Sequence, residues 1–160
     1  MKTKKTNAMR ILDRAKINYE MRTFEVDAEH IEGSEVAERI GVKEEQVFKT
    51  LVLTNSNREY FVFVIPVSGH LDMKAAAASV NEKKLNLMPL DGLKKVTGYI
   101  RGGCSPIGMK TKFPTVIDES VKNIEQVFVS AGQRGVQMGV APDDLIQAAE
   151  AQVTSVAVEE

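Results

Sequence analysis

The fold of this chain is decided by residues 47–67, where two apolar segments flank a polar turn. The segments read Val47-Phe48-Lys49-Thr50-Leu51-Val52-Leu53 and Tyr60-Phe61-Val62-Phe63-Val64-Ile65-Pro66-Val67. Both are rich in the β-branched and aromatic residues that favour strands. Because polar residues 55–59 lie between them, the stretch predicts an antiparallel β-hairpin.

The flanking sequence predicts a mixture of short helices and short strands. Helices are predicted over residues 7–17, 35–40, 71–78, 89–95 and 142–151, and strands over residues 19–26, 115–118, 126–130 and 136–140. Helical spacing of apolar residues, capping residues and β-branched runs support these assignments. We therefore expect a single α+β domain over residues 1–160. Its sheet should be mixed, mostly antiparallel and barrel-like, with flanking helices.

Composition limits the class of protein. The chain has 160 residues, a formal net charge of −1 and one cysteine, so it cannot form an internal disulfide. Its basic N-terminus is not followed by an apolar leader, and its longest apolar run, residues 60–67, is too short to span a bilayer. We expect a cytoplasmic protein with no membrane partner.

Charge is unevenly distributed along the chain. Residues 82–112 carry seven basic and two acidic side chains, whereas residues 113–160 carry two basic and eight acidic ones. A nearly neutral total argues against a protein that holds nucleic acid by bulk electrostatics. The basic segment favours local docking of a polyanionic substrate, and the alternative is a solvated face without a ligand.

Residues 97–108 form a glycine-rich loop within this basic segment, reading Thr97-Gly98-Tyr99-Ile100-Arg101-Gly102-Gly103-Cys104-Ser105-Pro106-Ile107-Gly108. Adjacent glycines leave backbone N–H groups open to an anion or a carbonyl oxygen, and proline stiffens the chain beyond them. The alternative is a tight connection between two elements. A second glycine turn, residues 130–135, can place a hydroxyl and backbone amides opposite this loop.

Lys49 is the most informative charged residue, because it lies within a strongly apolar strand. Burial of a lysine is costly unless the ammonium is paired or functional. Strand alternation places Lys49 on the same face as two leucines, which weakens the alternative of a solvent-facing position.

Cys104 suggests a nucleophile, but a thiol nucleophile requires a base. The two histidines, His30 and His70, lie in turn-like segments with no motif that connects them to Cys104. A lone buried cysteine usually acts as a small hydrophobic residue. One cysteine and two isolated histidines also lack metal-ligand spacing, so we expect neither a metal ion nor a cofactor.

Together these motifs resemble the YbaK/EbsC family of aminoacyl-tRNA deacylases and the editing domain of prolyl-tRNA synthetases. The resemblance covers nearly the whole chain and rests on three motifs in order: residues 48–51, the loop at 98–108 and the turn at 130–135. It implies removal of cysteine from tRNA(Pro), with Cys-tRNA(Cys) as a further candidate substrate, by attack of the substrate's own thiol on its ester. The implied partners are Cys-tRNA(Pro) and, transiently, prolyl-tRNA synthetase.

The resemblance also implies roles for individual residues. It implies catalytic roles, in holding the substrate and stabilising charge, for Lys49, Gly102, Gly103 and Ser130. It implies substrate binding by Tyr19, Phe48, Arg101, Pro106 and Gly132, with Tyr19 and Phe48 stacking on the terminal adenine. Cys104 falls at a variable position, which argues against its action as a nucleophile. Two alternatives stay open: a hydrolytic Ala-tRNA(Pro) deacylase and a non-catalytic module that binds aminoacyl-tRNA.

Overall fold

The computed structural model describes residues 5–26 and 33–159. Its helices are α1 (Asn7–Arg14), α2 (Gly33–Ile40), α3 (Met73–Ser79), α4 (Leu93–Thr97) and α5 (Pro142–Ala149). Its strands are β1 (Tyr19–Thr23), β2 (Phe48–Thr54), β3 (Tyr60–Pro66), β4 (Gly69–Leu71), β5 (Asn86–Leu87), β6 (Thr115–Asp118), β7 (Val127–Ser130), β8 (Val136–Val140), β9 (Gln152–Thr154) and β10 (Ala157–Glu159). Short 3₁₀ helices cover Glu44–Gln46, Leu90–Gly92 and Glu119–Asn123.

The predicted hairpin is confirmed. β2 and β3 pair antiparallel along their full lengths, from Phe48 opposite Pro66 to Thr54 opposite Tyr60. The side chain of Asn55 closes the turn, because its Oδ1 accepts hydrogen bonds from the backbone N–H groups of Asn57 (3.0 Å) and Glu59 (2.9 Å). This is the local bonding that makes asparagine favourable in turns.

The hairpin forms the centre of a five-stranded sheet with the order β5-β2-β3-β6-β9. β6 pairs parallel with both β3 and β9, so the sheet is mixed. β1, β8 and β7 form a second, antiparallel sheet, and β4 and β10 form a third. A single parallel bridge between Val47 and Phe128 connects the first two sheets. The α+β class is confirmed, although the strands form three sheets rather than one closed barrel.

The main core lies between the five-stranded and three-stranded sheets. Fully buried residues from both sheets meet there, including Val64, Ile117 and Met138. α1 contributes Leu12 and α5 contributes Leu145, so the two helices close the sides of the same core. None of the helices within residues 5–26 and 33–159 has the length and apolarity needed to cross a bilayer.

The predicted helices and longer strands are present, with ends displaced by a few residues. Four strands were not predicted: β4, β5, β9 and β10. Each has only two or three residues and therefore carries no readable alternation. Such short strands exist because a longer neighbour or a side chain positions them, and β5, for example, pairs with the end of β2.

Asp118, at the end of β6, fixes the C-terminal strand. Its Oδ1 accepts hydrogen bonds from the backbone N–H groups of Val156 and Ala157, both at 2.9 Å. Its Oδ2 accepts from the backbone N–H (3.1 Å) and the hydroxyl (2.6 Å) of Ser120. The carboxylate is buried, so these donors replace its hydration.

We expect Asp118→Ala to lower the free energy of unfolding by about 2–4 kcal/mol, because two backbone donors would lose their acceptor in a buried environment. Urea denaturation followed by circular dichroism measures this loss. Glu119→Ala, at the exposed neighbouring position, is the matched control and should stay within about 0.5 kcal/mol of the wild type. Equal stability of the two variants would contradict the structural role of Asp118.

Candidate functional site

A cavity of about 720 Å³ lies against β2. Consecutive residues Phe48–Val52 contribute to its lining from both faces of the strand, at the end of β2 that β5 does not cover. The strand that decides the fold therefore also shapes the site. The remaining walls come from the start of α2, the 3₁₀ helix at Glu44–Gln46, the segment from β5 to α4, the first glycine loop, and strands β7 and β8. The volume is typical of a small-molecule site and exceeds what one amino-acid side chain requires.

Lys49 lines this cavity and is half-buried. It lies opposite Ile65 in the hairpin, within an apolar stretch of both strands. Lys49 forms no ion pair with any residue in the described part of the chain. An ammonium that is half removed from water and lacks a carboxylate partner is well suited to bind an anion or a polarised oxygen.

The two glycine segments pack directly against each other. A Cβ atom on Gly103 would lie 3.1 Å from the backbone nitrogen of Arg134 and 3.2 Å from the carbonyl carbon of Gln133. These distances are shorter than most contacts of a Cβ atom, so glycine favours this approach and any side chain would force the facing backbone to shift slightly. The approach brings the Ser130 hydroxyl to 3.5 Å from the carbonyl oxygen of Gly102, so that both residues line the cavity.

Tyr99 holds the first loop in place. Its hydroxyl donates a 2.6 Å hydrogen bond to the carbonyl oxygen of Ile107, and burial raises the pKa of Tyr99 to about 12. Its ring lies so close to Gly132 that a Cβ there would be 2.9 Å from Cε1. Thr97 accepts a 3.0 Å hydrogen bond from the Tyr99 backbone N–H. Tyr99 thus connects both glycine segments, although it does not itself line the cavity.

The two adjacent glycines have different bonding. The Gly103 N–H already donates a 2.9 Å hydrogen bond to the carbonyl oxygen of Ile100. The Gly102 N–H has no acceptor among residues 5–26 and 33–159, and the backbone at Gly102 is left-handed, with a φ of +84°. Of the two glycines, Gly102 therefore has the backbone N–H that is available to a substrate oxygen, while the Gly103 N–H stabilises the loop conformation.

Two buried oxygen atoms in the cavity wall lack a hydrogen-bond partner in the described structure: Thr50 Oγ1 and Gln137 Oε1. Gln137 is only 6% exposed and lies opposite Ser130 in the β7–β8 ladder. A buried polar atom without a partner costs about 1–3 kcal/mol, so both atoms are suited to receive a ligand's donor. Sequence reasoning missed both residues, because a threonine in β2 and a glutamine in β8 have nothing unusual in their spacing.

Several predicted substrate-binding residues are not at the cavity surface. Tyr19, in β1, does not line the cavity, and its hydroxyl interacts with Asp13 and Lys5. Pro106 lines a second, smaller cavity of about 230 Å³, and Gly132 packs on Tyr99. Phe48 borders the main cavity but is only 2% exposed.

The substrate-binding roles of these four residues therefore stay predictions. Tyr19 does not line the main cavity and the Phe48 ring is almost fully covered, so stacking on an adenine would require either ring to become accessible. Pro106 and Gly132 lie in the glycine segments outside the main cavity lining. Arg101, by contrast, is exposed and lines the cavity.

Cys104 lines the cavity but is a poor nucleophile. Burial raises the pKa of its thiol to about 12, although a hydrogen bond with Thr97 opposes this shift. A thiol with such a pKa stays protonated at neutral pH, whereas the thiolate is the reactive form. His70, in β4, does not line the cavity, and His30 lies outside the described residues. Glu44 is the one carboxylate among the described lining residues.

The described lining therefore offers binding groups without an activated nucleophile. Lys49, Arg101 and the Gly102 amide can hold anionic or carbonyl oxygens, and Thr50 and Gln137 can accept hydrogen bonds. In residues 5–26 and 33–159, no three His, Cys, Asp or Glu side chains group in a way that could hold a metal ion. Such a site can orient a polar ester and stabilise charge on its carbonyl oxygen.

Comparison with known proteins identifies the family. The model of the aminoacyl-tRNA editing domain matches residues 28–148, which include β2, both glycine segments and all the cavity-lining groups discussed above. The chain belongs to the YbaK/EbsC family of aminoacyl-tRNA editing domains. The predicted family resemblance is thus confirmed.

A relative from Enterococcus faecalis (strain ATCC 700802 / V583) is 38% identical over 156 residues, covering 98% of this chain and 95% of its own. It is named "Putative Cys-tRNA(Pro)/Cys-tRNA(Cys) deacylase EbsC". A solved structure described as "a putative trans-editing enzyme for prolyl tRNA synthetase" superposes with a TM-score of 0.80 and 22% identity, covering 96% of this chain and 92% of that one. A second solved structure, of a hypothetical protein, superposes with a TM-score of 0.82 and 20% identity, covering 93% of this chain and 97% of that one. At these identities, the two structures support the fold alone.

The high pKa of Cys104 predicts resistance to alkylation. At pH 8, iodoacetamide should modify the native protein at least about tenfold more slowly than the urea-unfolded protein, because the folded thiol ionises only near pH 12 while an ordinary cysteine has a pKa of about 8.5. Mass spectrometry after timed quenching measures both rates. Labelling of the native protein as fast as that of the unfolded chain would show that Cys104 is accessible and ionised.

Proposed function

We propose that this protein is an aminoacyl-tRNA deacylase that removes cysteine attached to tRNA(Pro), and that it also accepts Cys-tRNA(Cys). The proposal rests mainly on one observation: Lys49 is half-buried and unpaired in a cavity whose described lining lacks an activated nucleophile. Membership of the editing-domain family and the name of the E. faecalis relative support the substrate class. The proposal requires a substrate that brings its own nucleophile.

Cysteine provides that nucleophile. In the proposed step, the cysteinyl sulfur attacks its own ester carbonyl, so a C–S bond forms and the C–O bond to the ribose breaks. The thiol proton ends on the departing ribose oxygen. The products are tRNA with a free hydroxyl and a cyclic cysteine thiolactone, and no water is consumed. Such chemistry is formally that of a lyase, and the protein contributes orientation and charge stabilisation.

The groups in the cavity suit these two tasks. The Gly102 N–H and the Lys49 ammonium are the donors for the carbonyl oxygen as it gains negative charge, or Lys49 holds the phosphate of the terminal adenosine. Ser130, 8% exposed, bounds the opposite wall beside Gly102. Gly103 supports this arrangement through its contact with the second turn. Arg101, which is exposed and lines the cavity, would contact the phosphodiester that enters the site.

Thr50 and Gln137 suit recognition of the α-amino group. The α-ammonium group has three N–H donors and no acceptor. It therefore complements the two buried oxygen atoms, Thr50 Oγ1 and Gln137 Oε1, which accept no hydrogen bond in the described structure. Their side chains would discriminate against ligands that leave those oxygens unpaired. The cavity also has room for the terminal adenosine next to the aminoacyl group.

The central prediction concerns a panel of Cys-, Ala-, Ser- and Pro-tRNA substrates. Wild type should deacylate Cys-tRNA and spare Ser-tRNA, because a hydroxyl is a much weaker intramolecular nucleophile than a thiol. Lys49→Ala should lower kcat/KM for Cys-tRNA about 100-fold or more, as expected for loss of an oxyanion-stabilising donor. Cys104→Ala should keep most of the activity. Loss of radiolabelled amino acid from tRNA measures each rate.

Lys122→Ala is the control for general effects of lysine removal, because Lys122 is exposed and lies outside the cavity. Chromatography of the products separates the mechanisms: thiolactone supports attack by the substrate thiol, whereas direct release of free amino acid from Ala-tRNA(Pro) supports the hydrolytic alternative. A folded Cys104→Ala protein without activity would overturn attack by the substrate thiol. Tight binding of a non-hydrolysable aminoacyl-adenosine without turnover would support a binding module instead.

We also propose that the protein acts in trans beside prolyl-tRNA synthetase, because a nearly neutral chain with one basic segment has little means of reading tRNA identity by itself. Tagged protein should retain prolyl-tRNA synthetase in the presence of tRNA(Pro). This retention should weaken as ionic strength approaches about 1 M, where the Debye length falls to about 3 Å. Equal retention of alanyl-tRNA synthetase would contradict a specific partnership.

A further inference from the structure

Unpaired positive charges are concentrated in the segments that line one side of the cavity. We define the basic rim as Lys83, Lys84, Lys94, Lys95 and Arg101. All five are exposed, and none forms an ion pair with a described residue. They account for most of the excess positive charge of residues 82–112, in a chain whose total charge is −1. The unneutralised charge is therefore concentrated in one segment.

These charges lie in segments that contain or adjoin cavity-lining residues. Leu93 lines the cavity, and Lys94 and Lys95 follow it on α4. Lys83 and Lys84 are separated from β5 by the buried Leu85, and β5 contributes Leu87 to the lining. Arg101 itself lines the cavity from the glycine loop. The basic rim thus combines one lining residue with four lysines on the adjoining segments.

Exposed apolar side chains occur in the same segments. We define the apolar shelf as Leu87, Leu90 and Ile100, which are 59%, 55% and 49% exposed. Leu87 and Leu90 line the cavity, and Ile100 precedes Arg101 in the loop. Exposed aliphatic groups that border a ligand cavity are suited to contact a partner whose end enters that cavity.

We propose that the basic rim and the apolar shelf form the docking face for the acceptor end of tRNA. The lysines and Arg101 contact backbone phosphates, and the shelf packs against the faces of the unpaired terminal bases. This inference rests on the proposed function, because the ester in the cavity is covalently attached to that RNA end. Whatever reaches Lys49 must therefore have its nucleotides at the opening.

The composition of the face favours RNA over a protein partner. A single-stranded nucleic acid presents a regular line of negative charges together with flat apolar faces, and proteins bind it by combining a positive groove with apolar or stacking contacts. The basic rim and apolar shelf provide both kinds of contact side by side. The face carries no base-reading constellation, so it fits binding of any CCA end and leaves selection of the tRNA to another component.

Binding of RNA can be tested without catalysis. The probe is an uncharged minihelix with the tRNA(Pro) acceptor stem and a fluorescent label, and the measurement is anisotropy at several salt concentrations. Relative to wild type, Lys83→Glu/Lys84→Glu and Lys94→Glu/Lys95→Glu should each reduce the slope of log affinity against log salt by about 2, because each reversed charge removes one lysine–phosphate interaction. The control, Lys74→Glu/Lys122→Glu, changes net charge equally at exposed positions outside the cavity and should keep the wild-type slope.

Kinetics separates docking from chemistry. The rim variants should raise KM for Cys-tRNA(Pro) at least about tenfold with kcat within about twofold, and should cleave a cysteinyl-adenosine ester at the wild-type rate. Leu87→Ser/Leu90→Ser should raise the same KM, whereas Val158→Ser, at an exposed apolar position outside the cavity, should not. Lys49→Ala should show the opposite pattern, a loss in kcat on both substrates.

The outcomes are distinguishable from those of the proposed function. Wild type that binds the minihelix through the rim but fails to deacylate would refute the deacylase while supporting the docking face. Rim variants with unchanged RNA affinity and unchanged KM would overturn the docking face even if Cys-tRNA is cleaved. Loss of prolyl-tRNA synthetase binding with unchanged RNA affinity would also overturn it, and would make this surface a protein contact.

Discussion

The site depends on the close contact between two backbones, Gly103 against residues 133–134. A Cβ at this position would lie 3.1 Å from the Arg134 nitrogen, so any residue other than glycine would push the two backbones apart. Through this contact, the long irregular connection between α4 and β6 lies against the β7–β8 turn, and Gly102 reaches Ser130. Tyr99 completes the constraint by packing on Gly132 and bonding to Ile107. These contacts hold the Gly102 N–H in place, although the loop that carries it has no regular secondary structure.

The rest of the site divides its tasks between regular elements and this loop. β2 brings Lys49 and Thr50 to the cavity by hairpin register, so their positions follow from the most strongly specified part of the fold. β8 brings Gln137 from the other sheet. The cavity lining thus combines groups from two sheets and one loop that are far apart in sequence, next to the Val47–Phe128 bridge that connects the two sheets.

Local patterns were sufficient to predict the hairpin and the helices, and they singled out Lys49, because a charge in an apolar strand is visible without tertiary information. They did not show which side chains reach the cavity where orientation depends on pairing. Tyr19 alternates correctly for a strand, but β1 pairs with β8 and turns its tyrosine toward α1, away from the cavity. Gln137 appears in the sequence as an ordinary polar strand residue, yet the sheet buries it. The short strands β9 and β10 depend on β6 and Asp118, far away in sequence.

The protonated state of Cys104 has a consequence under the proposed function, in which a cysteinyl ester enters the cavity. A thiolate next to a substrate sulfur would invite oxidation of the two into a mixed disulfide, which would block the pocket covalently. Burial suppresses that thiolate, since it raises the pKa of Cys104 to about 12. Under the proposed function, burial thus keeps a small, polarisable side chain in the cavity wall without presenting a thiolate to the cysteinyl substrate.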